Sequence, residues 1–145
     1  MKCPAESAEI KKAKEQLGKK IKQLRESKKP VISQRKLAPL VGLSSSSNLK
    51  YIEDGVNAPT AEVYDAVIQV LAPKSKQRAE MDRLYTIIRG TPPPDVCNII
   101  CRNQDMNDAL RILEDHDLTD RQIASLKALL TSFKTETAEG ENDNG

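Results

Sequence analysis

Ser33-Gln34-Arg35-Lys36-Leu37-Ala38-Pro39-Leu40-Val41-Gly42-Leu43-Ser44, continued by Ser45-Ser46-Ser47-Asn48-Leu49-Lys50-Tyr51-Ile52-Glu53-Asp54-Gly55, reads as helix, tight turn, helix. The Ser33 hydroxyl can accept a backbone N–H and cap the first of these helices, and Leu37, Leu40 and Val41 give it one apolar face at helical spacing. Gly42 ends it, since glycine enters the left-handed conformation of a helix end without steric cost. Ser44 or Ser45 caps the second helix. Leu49 and Ile52, three apart, supply its buried contacts before Gly55 stops it. That leaves Ser46, Ser47, Asn48, Lys50 and Tyr51 on the outer face.

Upstream, Ile10, Ala13, Leu17, Ile21 and Leu24 recur every three or four residues and predict one helix from Ala8 to Ser27. Lys11, Lys12, Lys14, Lys19, Lys20, Lys22 and Arg25 are read as its solvent face, either an extra basic arm or plain solvation. Lys28-Lys29-Pro30 marks a loop, because proline disfavours helix at the residue before it. Downstream, Asp54 to Thr60 is a turn into a new cap. Thr60 opens a helix with Val63, Ala66, Val67, Val70 and Leu71 inward; after Pro73, Met81, Leu84, Tyr85 and Ile88 form the stripe of a fifth helix ending at Gly90.

Thr91-Pro92-Pro93-Pro94 is read as a semi-rigid linker. Residues 1–90 then form one domain and 95–134 a second, helical region. In the latter, Val96, Ile99 and Ile100 predict a short helix, and Met106, Ala109, Leu110 and Leu113 another. Thr119 with Gln122 makes a capping box and Leu118 with Ile123 a hydrophobic staple for the last helix. Its stripe, Ile123, Leu126, Leu129, Leu130 and Phe133, is too small a core to stand alone, which favours dimerisation through these residues. The acidic, glycine-containing stretch 135–145 is expected to be disordered.

The net charge of +2 hides an asymmetry. Residues 1–90 carry 18 Lys and Arg against 10 Asp and Glu, while residues 91–145 carry 5 against 11. A basic first half suits a polyanion, and an acidic second half suits a protein contact or a solvated surface. Without an apolar run of membrane-spanning length or a signal-peptide pattern at Met1-Lys2-Cys3-Pro4, the expectation is a cytoplasmic protein.

Ser33-Gln34, Leu37-Ala38, Gly42-Leu43-Ser44, Leu49-x-x-Ile52-Glu53-x-Gly55 and Asn57-x-Pro59-Thr60 together resemble the Cro and phage-repressor, or XRE-like, helix-turn-helix family. The resemblance spans about Leu17 to Gly90. It implies an all-α chain from a bacterium or phage: a five-helix, lambda-repressor-like domain whose third helix enters the DNA major groove, followed here by a small C-terminal helical dimerisation or interaction region. Three features depart from the family pattern: a longer loop from Lys28 to Ile32, one extra residue before Leu49, and Pro39 inside the second helix. A proline there removes a backbone hydrogen bond, so that helix should be short or kinked.

On this reading Ser46, Ser47, Asn48, Lys50 and Tyr51 face DNA bases. Serines bond to almost any base, Asn48 suits adenine, and Tyr51 can pack on a thymine methyl or a phosphate. Gln34 and Arg35, at a helix start, are phosphate ligands, and by the resemblance so are Asn57 and Thr60. No arginine stands on the reading face. Direct discrimination should therefore be modest, with shape readout and dimer spacing adding to it.

The expected function is a dimeric, sequence-specific transcriptional regulator of double-stranded DNA, a repressor by family analogy. One alternative is an antitoxin-like or adaptor module that binds a partner protein and regulates its own synthesis; another is a non-specific nucleoid-associated protein. Cys97 and Cys101 share a helix face near His116, but a zinc site pairs two close sets of ligands and the second set is missing. Cys3, Cys97 and Cys101 are thus read as buried or idle, with a thiol redox switch as the lesser alternative. No catalytic constellation, metal or cofactor motif stands out, and an enzyme is not expected.

Overall fold

Hydroxyl caps start five of the described helices, the last among them. The computed structural model describes residues 6–142, with side chains through residue 136. Among the described residues it is all-helical: α1 (Ala8–Ser27), α2 (Gln34–Leu40), α3 (Ser46–Glu53), α4 (Ala61–Leu71), α5 (Ser75–Arg89), α6 (Pro94–Arg102), α7 (Met106–Arg111) and α8 (Asp120–Asn142). The backbone N–H of Ile10 donates to Ser7 Oγ, Lys36 to Ser33 Oγ, Asn48 to Ser45 Oγ and Val63 to Thr60 Oγ1, at 3.2–3.3 Å. Of the two serines that could cap α3, Ser45 does so. Gly42, Gly55 and Gly90, at φ 81°, 77° and 67°, end α2, α3 and α5 in the left-handed region. Pro39 lies in a helix of only seven residues.

Two compact units divide the chain between Asn103 and Gln104. In the first, α1 packs on α5, α3 and α4, α2 packs on α3, and α4 packs on α6. Its core holds Leu17, Ile21, Leu37, Val41, Leu49, Val67, Leu71, Met81 and Leu84, all nearly inaccessible. Tyr64 and Tyr85 stack inside it with ring centroids 4.3 Å apart. Gly18 lets α1 touch the end of α3: a Cβ there would stand 2.3 Å from the Ile52 carbonyl oxygen and 2.5 Å from that of Glu53.

Several sequence-based expectations are corrected. Arg25 is not on the solvent face of α1 but buried, because it lies on the side that meets α3. Leu40 is exposed, and Ala38 takes its place inside. On α4, Tyr64 and Ile68 are buried, while Ala66 and Val70 are only partly covered. The proline run does not close the first unit: Pro93 is buried and Pro94 is the first residue of α6, a position where proline's missing N–H costs nothing. Arg78 Nη2 then donates to Asp95 Oδ2 at 2.7 Å, tying α6 to α5.

In the second unit α8 opens on the expected capping box: Gln122 N–H donates to Thr119 Oγ1 at 3.2 Å and Thr119 N–H to Gln122 Oε1 at 2.9 Å. The helix runs on to Asn142, past residue 135 where composition predicts disorder. Ile123, Leu126, Leu129 and Leu130 are exposed along it, and no residue of α7 is buried. No helix among the described residues is long and apolar enough to cross a membrane.

Candidate functional site

The site is built on α3, whose two faces have opposite characters. Leu49, Ile52 and Glu53 anchor it from below. Burying a carboxylate requires a cation and hydrogen bonds around it. Glu53 has both: Arg25 Nε donates to its Oε1 at 2.7 Å, Arg25 Nη2 to its Oε2 at 3.1 Å, and Gln34 Nε2 to the same Oε2 at 2.7 Å. The hydrogen bond to Glu53 holds the Arg25 guanidinium above its ordinary range, in spite of burial. Arg25 Nη1 also donates to the Ile32 carbonyl at 2.9 Å, fixing the loop before α2. One carboxylate thereby joins α1, α2 and α3.

Opposite this anchor, Ser47, Lys50 and Tyr51 are exposed and Ser46 and Asn48 half-exposed. Asn48 Nδ2 donates to Ser44 Oγ at 3.1 Å across the turn, and Lys50 Nζ donates to Asp54 Oδ2 at 3.0 Å. The Asp54 hydrogen bond raises the Lys50 pKa, so the ammonium stays charged. Because both partners are solvent-exposed, this ion pair is weak and easily exchanged for another anion.

The four expected phosphate ligands take different places. Arg35 is exposed and, among the described residues, makes no ion pair or side-chain hydrogen bond, whereas Gln34 spends its amide on Glu53. Asn57 is exposed just beyond α3, its backbone N–H held by the Tyr51 carbonyl at 3.2 Å. Thr60 is committed through its oxygen to capping α4. Arg89 braces this loop from α5, donating through Nε and Nη2 to the Pro59 carbonyl at 2.9 and 2.6 Å and through Nη2 to that of Ala58 at 3.2 Å.

The bracing roles of Arg25, Glu53 and Arg89 escape the sequence reading, which puts Arg25 on the basic face of α1 and Glu53 in the motif around Leu49. For the first pair a signal existed. Glu53 falls four residues after Leu49, on the buried face, and Arg25 four after Ile21, so each charge stands at a core position and needs the other. Arg89 offers none, since its partners are backbone carbonyls.

Cys97 is half-buried, with Sγ 3.4 Å from the Pro92 carbonyl, and Cys101 is exposed; both are free thiols, and where the expectation is buried or idle cysteines, neither is fully buried. Cys3 lies outside the described residues. Among the described residues no three His, Cys, Asp or Glu side chains cluster as metal ligands. No family model matches the sequence, and neither a curated protein nor a solved structure matches it.

Proposed function

We propose that the chain is a sequence-specific DNA-binding regulator of transcription, a repressor, that works as a homodimer. In this reading α2, the turn and α3 are a helix-turn-helix of the XRE-like kind, the first five helices form its lambda-repressor-like domain, and α3 lies in the major groove. The observation that carries it is the polarity of α3: a buried, ion-paired underside and an outer face of Ser47, Lys50 and Tyr51 beside the exposed Asn57. Short hydroxyl and amide side chains allow a helix close approach to base edges, and Lys50 adds one charge.

A second reading rests on α8. Ile123, Leu126, Leu129, Leu130 and Phe133 are all exposed in part, and this stripe suits either a second copy or a different protein. An antitoxin-like or adaptor role would use it for the latter.

Binding by Lys50→Ala and Ser47→Ala to a site preferred by the wild type tests the first reading. Each should weaken binding at that site by roughly 5- to 150-fold, the equivalent of about 1–3 kcal/mol for a base contact. Unchanged affinity in both removes α3 as the reading helix.

A further inference from the structure

A shallow, open cleft lies beside the start of α3, and its walls include Lys22 and Arg25 of α1, Glu26, Ser33, Arg35 of α2 and Ser46 of α3. We infer that this cleft holds one backbone phosphate of a DNA duplex, with Lys22 of α1 as a phosphate ligand alongside Arg35. The inference rests on the DNA-binding reading and extends its surface to a third helix.

The charges select this ligand. Of the three cations in its walls, Arg25 is already bonded to Glu53, with Glu26 3.7 Å from its Nη2. Lys22 and Arg35 are exposed, and neither is ion-paired among the described residues. Adding Arg25, Lys22 and Arg35 against Glu53 and Glu26 leaves one net positive charge, which matches a phosphodiester monoanion. Hydrogen-bond donors are available too. Ser33 Oγ accepts the Lys36 N–H and keeps its own proton to donate, and the Ser46 hydroxyl projects from the first turn of α3.

Two cations carried by different helices also do something one cannot. Arg35 is anchored to the short α2, whereas Lys22 is on α1, which the Gly18 contact and the Arg25–Glu53 pair fix against α3. A phosphate gripped by both would set the angle at which α3 enters the groove, a positioning contact without sequence information.

The test is the salt dependence of duplex binding by full-length protein, from about 50 to 200 mM salt, for the wild type, Lys22→Ala, Arg35→Ala and Lys19→Ala. Lys19 is the control, because it lines a different groove, with Glu80 and Arg83 of α5. Lys22→Ala and Arg35→Ala should each reduce the steepness of log K against log salt by about 0.9 and weaken preferred and unrelated duplexes by the same factor, with Lys19→Ala unchanged. If the wild type binds and Lys22→Ala keeps its slope, or loses no more than Lys19→Ala, the cleft assignment is overturned while the regulator reading stands. If the wild type binds no duplex, both fall.

Discussion

Arg25 and Glu53, 28 residues apart in the chain, meet in a two-point ion pair with side chains only 7% and 1% exposed. This contact decides where the exposed face of α3 points, because it fixes that helix to α1 while Gln34 ties in α2. A buried pair of this kind adds less to stability than its Coulomb energy suggests, since both ions lose their water. Its main consequence is a single orientation.

Breaking one side of that pair strands a buried charge. Arg25→Met should destabilise the fold by about 3–5 kcal/mol, and Glu53→Leu by a similar amount, while the double variant recovers most of the loss. Urea midpoints of the four proteins check this. Additive losses in the double variant would mean that the two residues do not act as a unit.

Alkaline pH should unfold the first unit through Tyr64. Burial first, and then the hydrogen bond from its Oη to Asp82 Oδ1 at 2.6 Å, hold this phenol well above its ordinary pKa. The folded chain keeps the proton after the unfolded chain has lost it, so stability is full below about pH 10 and declines as the pH rises further. Tyr64→Phe should cost about 1.5–3 kcal/mol at neutral pH but flatten the alkaline decline. Some slope should persist from Tyr85, whose pKa is also raised, mainly by burial. Thermal midpoints between about pH 8 and pH 11 measure both effects, and an equally steep decline in the variant would contradict them.

The α8 stripe should hold the dimer. Leu126 and Leu130 are 40% and 47% exposed, so Leu126→Asp with Leu130→Asp should leave the first unit folded and convert dimer to monomer. Sedimentation equilibrium reads the mass directly. A dimer that survives the double substitution locates the interface elsewhere.

Much of the fold was legible because backbone rules act locally. The bounds of α1, Ala8 to Ser27, the caps at Ser33, Ser45 and Thr60, the three glycine stops and the Thr119–Gln122 box all follow from spacing and cap chemistry, whereas the Ser7 cap was not anticipated. What escaped was decided between helices. Arg25 carries a charge that composition assigns to solvent, Tyr64 stacks on a partner 21 positions away in the sequence, and the proline run reads as a linker until Pro94 is seen to begin a helix. For the site, local reading marked the exposed residues of α3. It did not reveal that Gln34 is turned inward to Glu53, because that depends on a carboxylate buried beneath α2 and α3.

Selection of bound DNA from a random duplex pool, using full-length protein at about physiological salt, tests the central claim most directly. The account predicts enrichment of a two-fold-symmetric site with half-sites about one helical turn apart, as two recognition helices on a dimer require. Recovery of DNA without any enriched sequence, or no recovery, would contradict it.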